Sequence, residues 1–294
     1  MKGSRRRRIV VAILAAIVVI ATSSVGVGRF LTERRISREA DDLFAASRGN
    51  DPTIVTEAGI AGLPEPVQRW LRYAQVVGKP RPSTIRLKME GEFRLAEDKG
   101  WMPFEAEEYY TTDPPGFVWS VSMEMAPLLT ITGRDRYVEG TGAIDMRLHG
   151  VVPVARKSGG ALDQGAMLRY LNEIMWFPAA ALSPYITWQR IDANSAEATM
   201  SHGGVTASAT FIFDGQGKLV TMTAQRNNDA KGQALPWSTP ITSYGQFAGV
   251  RVPVAGEGIW TYDTGDFSYI RLRITDLEYD QPAMYSLTSH VVSG

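Results

Sequence analysis

The chain of 294 residues contains no cysteine. This absence excludes disulfide bonds, cysteine-ligated zinc sites and thiol catalysis. A lipobox-type lipid anchor is excluded for the same reason, because it needs a cysteine to carry the acyl groups. A stable fold therefore depends on a non-covalent core, for which 44% hydrophobic residues supply enough material.

Histidine is also scarce, and the patterns of known catalytic sites are missing. The three histidines, His149, His202 and His290, share no helical or strand spacing, so we predict no metal site. The sequence has no G-x-S-x-G elbow, no P-loop, no H-E-x-x-H motif and no EF-hand loop. We therefore assign no catalytic residue and no cofactor.

Neither sign of charge is in excess. Lysine and arginine together number 31, and aspartate and glutamate together also number 31. Nucleic-acid surfaces are strongly basic, so this balance argues against a nucleic-acid partner. Protein partners stay unknown at this point.

Charged and apolar residues separate most sharply at the N-terminus. Lys2 and four consecutive arginines, residues 5–8, precede an uncharged stretch, residues 9–28. Twenty helical residues rise about 30 Å, the thickness of the hydrocarbon core of a membrane. Because basic flanks stay in the cytoplasm, we expect a single-pass cell-membrane protein. Its N-terminus is then cytoplasmic, and the bulk of the chain is periplasmic or extracellular.

A cleaved signal peptide is the alternative interpretation of this segment. Its most apolar part, residues 9–21, spans only 13 residues, and small residues surround Thr22. We favour an uncleaved signal-anchor. Both interpretations deliver the rest of the chain to the same side of the membrane.

Composition divides the chain into three parts. Residues 1–28 form the predicted transmembrane helix, and residues 29–62 form a charged juxtamembrane linker that begins as a helix. Residues 63–294 form one extracytoplasmic β-rich domain, since sheet-rich domains of this size often fold as a single unit.

From residue 84 onward, apolar and polar residues alternate with a period of two, as in TIRLKMEGEF. Turn signals such as DPPG and DGQG separate these segments, and no strand-helix-strand alternation occurs. The predicted fold is mainly β (α+β), a large curved antiparallel sheet that forms a half-barrel or barrel. A few helices cover it, and such a shape commonly leaves an internal cavity.

The segment LRYLNEIMWFP, which ends at Pro178, is the main predicted interruption of the sheet. Its apolar residues recur with helical spacing, and Arg169 and Glu173, four residues apart, can pair on the other side. Pro178 moves Phe177 out of helical geometry, which places Trp176 and Phe177 at a fixed corner. The two rings either cap a hydrophobic core or line the mouth of a cavity.

Two aromatic residues on strands join this helix as candidates. Trp119 shares a strand face with Phe117, and Tyr110 is adjacent to Tyr109, so at most one of the two tyrosines is interior. The predicted ligand-binding residues are Trp176, Phe177, Arg169, Glu173, Trp119 and Tyr110.

Several blocks of the sequence resemble a bacterial family of domains of unknown function. In chain order they include LPEPVQRWLRYA, MEGEFR, DPPGFVW, LNEIMWFP and FDGQGKLVTMTAQR, and they fall within roughly residues 60–280. The resemblance implies an extracytoplasmic or membrane-associated domain with no established activity, so it transfers no catalytic residue. In architecture, the strand-rich pattern is also similar to the half-barrel of periplasmic lipoprotein carriers such as LolA and LppX.

Three functional hypotheses follow. The first is a membrane-tethered extracytoplasmic protein that binds an apolar or lipid-like ligand. The second is an envelope hydrolase or transferase without a recognisable motif, and the third is a scaffold or assembly protein of the cell envelope. The second requires that at least two of the scattered polar residues Glu173, Arg169, Asp135 and Glu108 meet in one pocket.

Overall fold

The structure, a computed structural model, describes residues 2–49, 53–228 and 231–285. The helices of these residues are α1 (Lys2–Ala46), α2 (Glu57–Ile60), α3 (Glu65–Tyr73) and α4 (Gly160–Glu173), and two short 3-10 helices, Ile174–Trp176 and Pro178–Leu182, follow α4. The strands are β1 (Thr84–Phe93), β2 (Met102–Thr112), β3 (Pro115–Ala126), β4 (Leu129–Val138), β5 (Thr141–Leu148), β6 (Val152–Ser158), β7 (Ile186–Arg190), β8 (Ser195–His202), β9 (Val205–Phe213), β10 (Leu219–Asn228), β11 (Gln233–Ser238), β12 (Ile241–Phe247), β13 (Val250–Tyr262) and β14 (Gly265–Tyr279).

One antiparallel sheet contains all of these strands. Its order is β6-β5-β4-β3-β2-β1-β14-β13-β11-β10-β9-β8-β7, and β12 pairs with β13 beside this path. Two meanders, β1–β6 and β7–β14, are therefore joined where the first strand pairs with the last. The predicted fold class, a mainly β chain with a large curved antiparallel sheet and few helices, is confirmed.

Helix α4 connects the two edge strands, β6 and β7, and packs into the curve of the sheet between the meanders. The Tyr170 hydroxyl donates to the Thr111 carbonyl on β2 at 3.0 Å. On the other meander, the Thr239 hydroxyl donates to the Asn172 side-chain oxygen at 2.8 Å. Both bonds are buried, so α4 is held to each meander by a polar contact as well as by apolar packing.

The C-terminal half of α1 packs on the opposite, convex face of the first meander. Ile36, Leu43 and Phe44 are buried there against Tyr109 and Val118. The N-terminal half of α1 is exposed. Among the described residues, α1 is the one helix that is long and apolar enough to cross a membrane.

Helix α1 continues without a break past residue 28 to Ala46, into the stretch predicted as a juxtamembrane helix followed by a linker. The three predicted domain ranges stay a prediction. The described residues leave out Met1 and residues 50–52, 229–230 and 286–294. His290 is among the residues left out.

Helix α3 covers the end of the curved sheet at which β1 begins. The Trp70 ring packs on the rings of Phe211 and Phe213, with each centroid pair 5.8 Å apart. The Arg251 N–H, at the start of β13, donates to the Ala74 carbonyl at 2.9 Å. This end of the second meander is therefore covered by a helix that contacts β9 and the start of β13.

Two hairpin turns bring the meanders into contact away from the β1–β14 pairing. Gly140 lies in the β4–β5 turn and Gly203 in the β8–β9 turn, with φ values of +80° and +59°. A Cβ added to Gly203 would stand 2.5 Å from the Cα of Gly140, closer than real side chains approach. Next to this contact, the Tyr137 hydroxyl lies 3.1 Å from Nδ1 of His202. The two meanders therefore touch here without strand pairing.

We predict that Gly140→Ala destabilises the protein more than Gly204→Ala does. Both glycines have φ near +80°, so alanine adds roughly 1–2 kcal/mol of backbone strain at either position. A Cβ on Gly140 also collides with Gly203, whereas a Cβ on Gly204 meets open space. Overpacking typically adds another 1–3 kcal/mol, roughly. Thermal unfolding of the full chain, followed by circular dichroism, should show the larger fall in Tm for Gly140→Ala, and equal falls would contradict the contact.

Candidate functional site

A cavity of about 640 Å³ lies between α4 and the concave face of the sheet. Its wall is mainly apolar and comes from both meanders and from the 3-10 turn after α4. Representative wall residues are Met89, Ile131, Met146, Met175, Trp237 and Leu272. Five of the eleven methionines of the chain line this cavity. Methionine side chains are unbranched and adapt their shape, so the wall suits an apolar ligand of variable outline.

A row of three residues from neighbouring strands lies at one wall of the cavity, and two of them, Trp119 and Asp135, line it. Glu108 on β2 pairs with Trp119 on β3, and Trp119 pairs with Asp135 on β4. All three side chains occupy the inward positions of strands whose other inward residues, such as Phe104 and Tyr110, are apolar. The row therefore places two buried carboxylates on either side of one indole ring.

Arg169 of α4 points onto this row. Its Nη2 donates to Oε1 of Glu108 at 2.8 Å, and its Nη1 donates to Oδ2 of Asp135 at 2.9 Å. Its Nε donates to Oε1 of Glu173, one turn along α4, at 2.7 Å. The guanidinium carbon lies 4.8 Å from the ring centre of Trp119, within cation–π range. One cation thus holds three carboxylates against an aromatic floor.

Burial changes the protonation behaviour of this cluster. It raises the pKa of Glu108 well above the ordinary value, although Arg169 lowers that pKa in part. Burial also raises the pKa of Asp135 and of Glu173 against the opposing effect of Arg169. For Arg169 burial lowers the pKa, but the three carboxylates outweigh it and the pKa ends well above its ordinary value. The cluster therefore contains one permanent cation and carboxylates that bind protons more readily than exposed ones.

Arg226 on β10 is a second cation in the cavity wall. Its guanidinium carbon lies 4.6 Å from the ring centre of Trp237 and 5.9 Å from that of Trp260. After that of Arg169, its charge also lowers the pKa of Asp135 against the effect of burial. Among the described residues its guanidinium has no hydrogen-bonded or ion-paired carboxylate. This cation is available to an acidic group that enters the cavity.

The six residues predicted as ligand-binding fall into two groups. Trp176, Arg169, Glu173 and Trp119 line the cavity. Phe177 and Tyr110 lie behind the wall in an aromatic cluster, with their ring centroids 5.0 Å apart, and both are fully buried. The two interpretations of the corner after α4 therefore apply to different rings, because Trp176 faces the cavity and Phe177 packs in the core. The assignment of the six residues to ligand binding stays a prediction.

The four polar residues named for the enzyme hypothesis meet in one cluster. Glu108, Asp135 and Glu173 all bond to Arg169, so the condition set for that hypothesis is met. No group of three or more His, Asp or Glu side chains within residues 2–49, 53–228 and 231–285 has the arrangement of a metal site. Chemically, the arrangement can bind a polar group or exchange a proton at a carboxyl with a raised pKa.

Arg226, unlike these four, is a site residue that the sequence reasoning missed. It belongs to the block FDGQGKLVTMTAQR, whose alternation predicted a strand but not which face the arginine occupies. The available signal was its position at the end of a strand that is otherwise apolar on one face.

Comparison with known proteins gives a family and several distant structures. A family described as "Family of unknown function (DUF6544)" matches residues 53–272. Among curated proteins, no match to the chain is found. The resemblance to a family of unknown function, inferred from the sequence blocks, is thereby confirmed.

Three solved structures illustrate what the chain is similar to. A DUF1329 family protein from Desulfovibrio piger has 10% identity and a TM-score of 0.44, with 78% of this chain and 95% of that chain covered. A LolA superfamily protein from Nitrosomonas europaea has 10% identity and a TM-score of 0.38, with 72% and 93% covered. The Mycobacterium tuberculosis lipoprotein LppX has 11% identity and a TM-score of 0.25, with 78% and 98% covered.

We predict that Glu108→Gln makes the stability of the protein less dependent on pH. A carboxyl whose pKa is raised by folding stabilises the folded state below its unfolded pKa. That contribution is lost as the pH rises through the folded pKa. Each unit of upward shift corresponds to about 1.4 kcal/mol. Glutamine resembles the protonated carboxyl. The free energy of unfolding of the variant should therefore increase relative to that of the natural chain as the pH rises above about 4.5, the ordinary pKa of a glutamate.

The measurement is urea unfolding at a series of pH values, with Glu105→Gln as the matched control. Glu105 lies on the same strand but on its exposed face, so its replacement should leave the pH dependence as it is. A Glu108→Gln chain with an unchanged slope would show that Glu108 is not the buried, proton-binding group.

Proposed function

We propose that this chain, which belongs to the family of unknown function DUF6544, is a membrane-tethered protein that binds a lipid-like amphiphile in the cavity beside α4. The observation that carries the proposal is the cavity itself, about 640 Å³ in volume and mainly apolar in its wall. Pockets for small ligands have volumes of roughly 300–1,000 Å³ and combine an apolar wall with few polar groups. The cavity beside α4 fits both criteria.

The proposed tether is the exposed half of α1. Its uncharged stretch, residues 9–28, is long enough to cross the hydrocarbon core, and the following half of the same helix is buried on the sheet. The basic residues before the stretch support an extracytoplasmic position for the sheet domain. The amphiphile would then bind next to the membrane.

Burial of an alkyl chain supplies the binding energy in this proposal. Transfer of apolar surface from water contributes about 25 cal/mol per Å², or about 0.8 kcal/mol per buried CH₂ group. Ten such groups would contribute roughly 8 kcal/mol before the cost of association is subtracted. Affinity of this kind needs no reactive residue.

The polar end of the ligand is assigned to Arg226. A cation that stacks on Trp237 and has no hydrogen-bonded or ion-paired carboxylate among the described residues is suited to an acidic head group, such as a carboxylate or phosphate. In contrast, the guanidinium of Arg169 already bonds to three carboxylates and is not free for a ligand. The two arginines therefore have different roles, one structural and one for recognition.

A hydrolase or transferase is the second candidate function, favoured by the convergence at Arg169. Glu173 and Asp135 line the cavity and have raised pKa values because of burial, as a general acid requires. It ranks second because both carboxylates are bonded to Arg169. The state of a recovered ligand decides between the two functions, since a binding protein returns its ligand unchanged and an enzyme returns a product.

We predict that Ala255→Trp prevents ligand binding by filling the cavity. Ala255 is a half-buried wall residue on β13, and an indole in its place would occupy space needed by an alkyl chain. The measurement is mass spectrometry of an organic extract of the purified full chain. The extract of the natural chain should contain about one amphiphile per chain, and the extract of the Ala255→Trp chain should contain little or none.

The matched control is Ala193→Trp, which adds the same ring at an exposed turn outside the cavity. Its extract should equal that of the natural chain. An empty extract from the natural chain, or the same ligand content in all three chains, would contradict the proposed site.

We predict that Arg226→Gln weakens binding of acidic amphiphiles selectively. Loss of a charge-assisted hydrogen bond costs roughly 1.5–3 kcal/mol, or about 10- to 100-fold in Kd. Fluorescence titration with dansyl-labelled undecanoic acid should show this loss, and titration with its uncharged amide should not. Arg94→Gln is the control, because the Arg94 Nε in the same wall already donates to the Ser268 carbonyl at 2.7 Å. Equal losses for the acid and the amide would refute a head-group role for Arg226.

A further inference from the structure

Three hairpin turns of the first meander lie side by side at the same end of its strands, and this row of strand ends forms one edge of the sheet. They join β1 to β2 (residues 94–101), β3 to β4 (residues 127–128) and β5 to β6 (residues 149–151). Because successive strands are antiparallel, alternate turns share an edge. The opposite edge carries the β2–β3 and β4–β5 turns.

Exposed large apolar side chains concentrate on the first of these edges. Outside α1, ten such residues are exposed among the described residues, and seven of them lie on this edge. We call these seven the apolar edge: Leu95, Met125, Leu128, Leu129, Val151, Val152 and Val154. Scattered single apolar residues are normal on a surface, but a contiguous group marks a place that contacts something apolar.

Leu128 shows the pattern most clearly. It forms the tip of the β3–β4 turn, is 93% exposed and has φ +66°. A turn in water favours glycine or asparagine at such a φ, because a branched side chain strains the left-handed conformation. Leucine at this position carries the energetic cost of that strain, and its whole side chain faces outward. Contact with an apolar medium would offset both costs.

Helix α1 relates the apolar edge to the membrane. The Thr32 hydroxyl donates to the Gly150 carbonyl in the β5–β6 turn at 3.1 Å, and a Cβ added to Gly28 would meet Val151 at 2.3 Å. At the other end of the sheet, the N–H of Arg48, just beyond α1, donates to the Asp113 carbonyl at 3.0 Å. The helix therefore runs along the sheet from edge to edge, and its apolar half projects beyond the apolar edge.

The charge pattern of α1 agrees with this arrangement. Its uncharged stretch ends at Gly28, the residue that contacts the β5–β6 turn, and Arg29 follows immediately. Arg29 and Arg34 are exposed, as is Arg156 on β6. Exposed arginines at the end of an apolar span are suited to lipid phosphates, so the apolar edge lies at the level where the hydrocarbon core would end.

We propose that the apolar edge inserts into the surface of the bilayer that holds α1, so that the cavity opens directly toward membrane lipid. Leu95, Met125 and Val154 belong to the apolar edge and also line the cavity. The cavity therefore reaches this edge. An amphiphile then passes between the bilayer and the cavity without its alkyl chain entering water. This inference rests on the tether and the cavity of the proposed function.

The absence of cysteine permits a direct test with single spin labels on the full chain. The chain is reconstituted in vesicles of equal parts phosphatidylcholine and phosphatidylglycerol. Nitroxides on Leu128→Cys and Val152→Cys report contact with lipid by their relative accessibility to oxygen and to a water-soluble nickel chelate. Ile191→Cys is the matched control, because Ile191 is 54% exposed, apolar and beyond β7 on the side of α3. Ile13→Cys, in the exposed half of α1, reports on the tether.

The expected result is a severalfold preference for oxygen over the nickel chelate at Leu128, Val152 and Ile13, and the reverse preference at Ile191. A label at Ile13 in lipid with labels at Leu128 and Val152 in water would overturn membrane contact by the apolar edge but leave the tether intact. A label at Ile13 in water would reject the tether, and this inference with it. Labels at Leu128 and Val152 shielded from both reagents would mean that another copy of the chain covers the edge, which also overturns the inference.

Discussion

Three buried carboxylates share one guanidinium, and the position of α4 depends on that arrangement. Removing an ion from water costs several kcal/mol, so Glu108, Asp135 and Glu173 are tolerated only while Arg169 stays between them. This requirement fixes both the rotation of α4 about its axis and its distance from β2–β4. Because α4 also links the two edge strands, the same cluster ties the first meander to the segment that leads into the second.

The cavity exists because one helix cannot fill the curve of a sheet this large. At one end the aromatic rings of Tyr110, Tyr170 and Phe177 pack tightly and close the interior. On the other side of Trp176 the facing walls stay apart and leave the cavity between them. The packed core and the cavity are thus two parts of one interior, divided at the corner that Pro178 creates.

Sequence periodicity was enough to predict the antiparallel sheet, the helix before Pro178 and the pairing of Arg169 with Glu173, since each depends on residues close in the chain. The row that joins Glu108 to Asp135 depends on the register of two hairpins, which a single sequence does not specify. Arg226 was missed for a related reason. A register shift early in β10 reverses which residues face inward, so simple alternation from the start of the strand assigns the arginine to the wrong side.

The unbroken course of α1 has a consequence for how far this domain can act. A flexible linker lets a tethered domain sample a volume that grows with linker length. Here the helix that leaves the proposed membrane span is already docked on the sheet at Gly28 and Thr32, so no slack separates the two. The domain would therefore stay at the bilayer surface and would not move across the space beyond it. Any protein that accepts the proposed ligand would have to bind it at the membrane surface.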